Sequence, residues 1–494
     1  METLFNEKAI EKLVIGIDKV ANVVKLTLGP KGRNVIIHRD SQLPLITNDG
    51  ISAARAIRSS DVTEQDGIDL AIDAAKKTSM KAGDGTTTTI TTLQGVVHEG
   101  MSYLKQGEHP MVLRKKLLRD TQVILTAIKD RTITNPTLEQ LTAVASLSAE
   151  SQEIGSAVAN LFQKIGKNGV VDIVESEDIN IEIEHTDGLE VKSQYLSPYF
   201  DAEYNNAPVF ITDIKISSAK DIFPLIEKVK ATGGDKLVVF CEEIDPSILA
   251  ALIKNKMNNI FNTLVVKINV FHKKDELADI AAFTGAEYVT LEKSMSLSDV
   301  NLSKLGKVQS IKTKKESVII IPESVQSLTE YVTKLNVDKD NITDSYDKKK
   351  AIERIARITN GVAIIKVGAQ TQSEMQYLKL KIVNAVNATR AAMEEGIVEG
   401  AGIALYLIAE QYPENLLSKA LKVPFTQILH NAGADIDAVC EMVKKGYAYN
   451  IDTDSFVDNA FTGGIVDSSK VTQNAVGNAV SLTATLLTTA VAIS

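Results

Sequence analysis

Apolar residues near the start of the chain recur at intervals of three and four. Ile10, Leu13, Val14, Ile17, Val20, Ala21 and Val24 share one helical face, so the spacing predicts an amphipathic helix that ends before Gly29-Pro30. Residues 95–160 keep a mostly helical period. Between about 188 and 360 the texture changes. Short β-rich runs, KLVVF (236–240), TLVVKINVF (263–271) and SVIIIP (317–322), alternate there with helical segments such as PSILAALIKNKMNNIF (246–261), which predicts an α/β layer. After Gly361 the helical period returns, beginning with TQSEMQYLKLKIVNAVNATRAAMEEG. The pattern therefore predicts a helical body whose two halves pack together, interrupted by a mixed α/β insertion. No internal repeat or low-complexity linker breaks this order.

Composition narrows the function classes. A chain of 494 residues is too long for one core and predicts two to four domains. Hydrophobic residues at 44% and charged residues at 24% supply enough apolar material for large cores. The net charge of -9 and the lack of a basic tract argue against a nucleic-acid partner. Cys241 and Cys440 lie far apart, so neither a disulfide framework nor a CxxC metal site is built, and a reducing compartment is expected. METLFNEKAI has no apolar h-region, so it is not a secretory signal and the mature chain is expected to start there. The last twenty residues are uncharged, but Asn478, Ser481, Thr483, Thr485, Thr488 and Thr489 interrupt them. A buried terminal helix is expected rather than a membrane span.

The candidate chemistry lies in AGDGTTTTIT (82–91). A glycine turn that opens a helix offers free backbone N–H groups, and the threonines add hydroxyls, which together suit an anion such as phosphate. Asp84 repels a bare phosphate unless a divalent cation bridges them, so the pattern points to Mg²⁺-nucleotide. Taken alone, the segment is better read as ordinary capping and turn residues. Neither a GxxxxGK[ST] P-loop nor a GxGxxG is present. Other segments change the odds. LTLGPKGRNVII (26–37) is a second glycine-rich turn, LITNDGIS (45–52) sets an Asp-Gly after a β-type run, and EEGIVEGAGIAL (394–405) begins a late helix.

With YLSPYF (195–200), NATRAAMEEG (387–396) and GGIVDSSKVTQNAV (463–476), in order and at matching separations, these segments closely resemble the group I chaperonin family of ATP-driven folding chambers. The resemblance covers essentially the whole chain. It implies a multidomain α+β fold: a helical equatorial ATPase domain at 1–130 and 394–494, a small intermediate domain at 131–187 and 362–393, and an α/β apical domain inserted at 188–361. By the same resemblance, Thr27, Leu28, Gly29 and Gly32 wrap the α- and β-phosphates and Pro30 stiffens the turn. Asp84 holds Mg²⁺, Gly85, Thr86, Thr87 and Thr88 donate to the β- and γ-phosphates, and Asp49 polarises the attacking water. Gly400, Ala401 and Gly402 approach the ribose and base edge, with Asn450 and Asp467 completing the pocket. Ala401 stands where the family has glycine, which predicts a negative φ there.

Client binding through exposed apolar side chains is implied for Tyr195, Tyr199, Phe200, Phe223, Ile226, Leu249 and Ile253. Periodicity alone reads Ile226, Leu249 and Ile253 as helix core. Gly188 and Gly361 fall at the crossovers and suit hinges, or equally plain turns. Four further features depart from the family pattern. Lys254 replaces an apolar residue of the groove that also receives a co-chaperonin, which puts co-chaperonin use in doubt. Thr426 replaces a basic partner of Asp435, which weakens the case for a double ring. The chain stops at Ser494 without the family's acidic and Gly-Met-rich tail. Asn384 stands where an aspartate usually orients the attacking water, which predicts slow hydrolysis.

The expectation is an ATP-dependent chaperonin that forms a homo-oligomeric, seven-membered ring of one or two layers and binds unfolded polypeptide, with Mg²⁺ and K⁺ as cofactors. It is placed in the cytoplasm, an organelle matrix or a viral host's cytoplasm. A nucleotide-gated holdase that folds nothing is the competing reading. A small-molecule kinase is a third, but no acceptor pocket is legible for it.

Overall fold

The computed structural model describes residues 3–5, 7–38, 44–167, 169–176, 179–186, 188–195, 203–268, 273–313, 317–323, 326–342, 344–359 and 361–493. The chain divides into two compact units, one of Met1–Gln163, Glu175–Asn180 and Val367–Ser494, the other of Lys164–Val174 and Ile181–Lys366. The second takes in the predicted insertion at 188–361, and the segments predicted as intermediate, 131–187 and 362–393, are shared between the two.

Long helices build the first unit. Glu7–Val24 carries the predicted stripe, and Ile10, Leu13, Val14 and Ile17 enter a core shared with Thr86–Lys105, Pro110–Asp130 and Ser469–Leu486. Glu7–Val24 lies backbone to backbone on Val62–Ala82. A Cβ on Gly16 would meet Glu64 O at 2.0 Å and one on Gly67 would meet Leu13 O at 2.1 Å, so only glycine permits this crossing. Asp61 starts Val62–Ala82 by accepting from Glu64 N–H at 3.1 Å.

Two-stranded antiparallel pairs complete this unit, among them Ile397–Glu399 with Val466–Ser468. Another joins Thr3–Phe5 to Val491–Ile493, which corrects the expected terminal helix. That helix, Ser469–Leu486, is buried as predicted but stops short, because the β-branched run that follows favours extended backbone and finds a partner strand in the N-terminus. Among the described residues no helix is long and apolar enough to cross a membrane.

The second unit centres on a seven-stranded sheet. Glu203–Thr212, Gly306–Thr313, Ser317–Pro322, Leu189–Tyr195, Asn262–Ile268 and Lys236–Cys241 pair in that order, and the last returns to the first in parallel, closing a ring to which Tyr288–Val289 adds. Lys236–Cys241 is buried from Leu237 to Cys241, as its unbroken apolar run requires. The helix predicted over 246–261 stops earlier, at Met257. Asn259 turns the chain at φ +54° and Phe261 enters the core. Asp279 is buried and bound by Arg354 at 2.7 Å and Arg357 at 3.3 Å.

Candidate active site

The AGDGTTTTIT motif (82–91) forms a turn between two long helices of the first unit. Gly83 caps Val62–Ala82 at φ +79° and Gly85 precedes Thr86–Lys105 at φ +88°, so two left-handed glycines hold Asp84 at the N-terminus of a long helix. No side chain caps that terminus, which leaves its N–H groups open to an anion. The threonines divide by role. Thr86, Thr87 and Thr88 line a cavity of about 950 Å³, whereas Thr89 is buried, donates to Gly85 O at 2.8 Å and supports the turn from behind.

Six more segments close on the same cavity. Thr27, Leu28, Gly29 and Pro30 form one wall, pinned by Asn431 Nδ2, which donates to Lys25 O at 2.8 Å and Leu28 O at 2.9 Å. Asp49 lines the cavity and begins Gly50–Ala56, accepting from Ser52 N–H at 2.9 Å. Ala401, Gly402, Asn450 and Asp467 also line the cavity, as does Asn384 from the helix Gln372–Glu395. Asn450 Oδ1 accepts from Asp452 N–H at 3.0 Å, which fixes its own loop.

Gly32 and Gly400 do not line the cavity. A Cβ on Gly32 would sit 2.2 Å from Thr27 O, and one on Gly400 2.8 Å from the Val466 backbone, so both serve tight packing behind the wall. Ala401 overturns the expectation of a negative φ. It lies at +54°, in the left-handed region, next to Gly402 at +78°, and in this conformation both N–H groups donate to Asp467.

The cavity wall is acidic. Asp49, Asp84, Glu139, Glu150, Glu399, Asp452 and Asp467 line it, against one cationic side chain, Lys381, among the described residues. Burial pushes the Asp84 carboxyl above its ordinary value and the Asp49 charge adds to the rise, opposed by Gly85 N–H, by Ser148 Oγ at 3.3 Å and by Lys381. Burial likewise raises Asp467 to about 7, with the Asp84 charge contributing. Two such carboxylates fit a divalent cation, which would relieve both the lost hydration and the mutual repulsion. No group of three or more His, Cys, Asp or Glu suited to a metal occurs among the described residues, so phosphate and water oxygens would complete the shell.

Sequence reasoning missed Asn48, Ser148, Glu150 and Lys381. Lys381 is buried, with Nζ 2.6 Å from Glu150 Oε1, and Asn48 Nδ2 and Tyr377 Oη also donate to Glu150. The available signal was the i, i+4, i+7 spacing of Tyr377, Lys381 and Asn384 on one helix face.

The predicted client contacts lie in the second unit and behave differently. Phe223, Leu249 and Ile253 are half-buried, resting on the core with part of their surface open, and Lys254 is exposed. Ile226 is 5% exposed and belongs to the core, so it is withdrawn as a surface contact. Tyr195 ends a strand paired with Val266, and its side chain, like Tyr199 and Phe200, lies outside the described residues. Gly188 and Gly361 come together inside the second unit. A Cβ on Gly188 would meet Val362 at 2.5 Å, and Gly361 adopts φ +69°. Thr426 bonds the Lys422 and Val423 carbonyls of its own helix, and Asp435 caps the next one by accepting from Ala438 N–H.

Comparison with known proteins agrees with this architecture. Residues 20–493 match the model of the TCP-1/cpn60 chaperonin family. Two crystal structures of the chaperonin gp146 from the bacteriophage EL 2 (Pseudomonas aeruginosa), both in presence of ATP-BeFx, share the fold. One aligns with a TM-score of 0.75 at 17% identity, the other with 0.70 at 18%, each over 100% of this chain and 99% of the other.

Proposed function

Because the chain belongs to the TCP-1/cpn60 chaperonin family, we propose that it is an ATP-dependent chaperonin of the group I type. It hydrolyses ATP to ADP and phosphate and encloses non-native polypeptide in a homo-oligomeric, seven-membered ring. The observation that supports this most is the Gly83–Asp84–Gly85 turn, which sets a carboxylate at an uncapped helix N-terminus in an acidic cavity that Asp467 also lines. In this reading the N–H groups and hydroxyls of Thr86, Thr87 and Thr88 hold the phosphates, and the Leu28–Pro30 turn flanks them. Asp84 and Asp467 hold Mg²⁺, which neutralises phosphate charge when bound. Asp49 orients the attacking water and accepts its proton, while Asn384 positions the same water without taking a proton. Gly402 and Asn450 face the nucleoside end. Half-buried Phe223, Leu249 and Ile253 offer clients their open edges.

Asp84→Ala is expected to abolish ATPase activity, since it removes the metal anchor. Retained turnover in the purified variant overturns the assignment. The uncharged Asn384 also favours a second reading, a ring that holds clients on slowly hydrolysed ATP. Refolding of a denatured client, with and without a co-chaperonin, separates the two: suppressed aggregation without recovered activity supports the holdase.

A further inference from the structure

A nucleotide triphosphate adds several negative charges to a cavity already lined by carboxylates, and one divalent cation offsets only part of them. The single cationic side chain among the described residues of the wall is therefore decisive for the terminal phosphate. Lys381 is 7% exposed, sits on the same face of Gln372–Glu395 as Asn384, and acts electrostatically on Asp84. Its ammonium lies 2.6 Å from Glu150 Oε1 and 5.4 Å from the Tyr377 ring centroid.

The pair is built so that it can open. Glu150 also accepts from Asn48 Nδ2 at 2.9 and 3.0 Å and from Tyr377 Oη at 3.0 Å, so it stays hydrogen-bonded when Lys381 leaves. An ammonium has three donors on a flexible stem, which lets it move a short way without new strain. We propose that Lys381 is the protein's cationic ligand for the terminal phosphate, resting on Glu150 in the nucleotide-free chain and transferring to the phosphate when ATP enters. The transfer rests on the ATP-site reading above. It distinguishes ATP from ADP, because only the triphosphate reaches the ammonium, and it registers Asn384, one turn further on, against the phosphate under attack.

A purely structural pair predicts the opposite pattern, and two variants separate them. Binding of Mg²⁺ complexes of ADP and of a non-hydrolysable ATP analogue is measured by calorimetry on the full-length chain, wild type, Lys381→Met and Glu150→Gln. Lys381→Met is expected to lose on the order of tenfold or more in affinity for the analogue, typical of a charge-assisted contact, with a much smaller change for ADP. Glu150→Gln removes the competing anion and is expected to tighten the analogue. Equal weakening of both nucleotides by both variants overturns the proposal. If Lys381→Met does not fold, the sign of the Glu150→Gln effect decides: tightening supports the transfer and weakening overturns it. A wild type that binds neither nucleotide overturns the ATP-site reading itself, whereas a wild type that prefers the analogue and a Lys381→Met variant that keeps that preference overturn this inference alone.

Discussion

Asn384 concentrates the chemical question in one side chain. An amide oxygen can accept a hydrogen bond from water but carries no charge and takes no proton near neutral pH, so under the proposed function positioning survives while general-base assistance falls to Asp49. Such assistance contributes on the order of a hundred-fold or more in rate. Single-turnover hydrolysis at saturating ATP is therefore expected to be faster in Asn384→Asp than in the wild type, with ATP affinity nearly unchanged. Equal rates would leave Asp49 as the only carboxylate that matters to the water. Ala401 shows the same scale from the side of stability. Its left-handed φ of +54° costs on the order of 1 kcal/mol and is held by the turn into Gly402 and the bond to Asp467.

Between elements, helix contacts translate into a measurable pH dependence. His98 of Thr86–Lys105 meets Asp18 of Glu7–Val24 at 2.8 Å, and the bond to that carboxylate holds the imidazole above its ordinary 6.5. The folded chain therefore binds this proton more tightly than the unfolded one. The resulting stability is fully present below pH 6.5 and is lost as pH rises through the raised value. His98 is half exposed, so the effect is expected to be about 1 kcal/mol at most. Thermal unfolding of wild type and His98→Gln from pH 6 to 8 checks the sign. The wild type should lose its advantage as pH rises, and parallel curves would show that the pair contributes nothing. The turn around Asp84 also acts at this scale, since neither glycine beside it tolerates a side chain. A Cβ on Gly83 would fall 2.2 Å from Asn387 and one on Gly85 2.5 Å from Val471.

For the whole molecule, the proposed division of labour predicts separable functions. Phe223→Ser and Leu249→Ser are expected to reduce capture of a denatured client by several-fold while ATPase activity stays largely intact, because the altered residues and the acidic cavity belong to different compact units. Client binding measured by suppression of aggregation tests this, and unchanged capture would return both residues to the core. Ile226→Ser belongs to another class, since its side chain is buried and polar substitution there undermines the fold of the second unit.

What the sequence determined by itself is what depends on neighbours along the chain. The helical stripe of 10–24, the apolar strand of 236–240, the helical, mixed and helical order, and the glycine turns around Asp84 follow from period and local conformational preference. The expected nucleotide positions come from the resemblance, motif by motif, and the cavity gathers all but Gly32 and Gly400. Tertiary structure decided what depends on residues distant in sequence. Pairing of Thr3–Phe5 with Val491–Ile493, the approach of Asp467 to Asp84, the Glu150–Lys381 pair and the burial of Ile226 each arise where remote segments meet. The physical reason is that hydrogen bonding, desolvation and charge act across space. A residue's local propensity reports the conformation it prefers, whereas the partner it meets and the water it loses are set only when the whole unit packs.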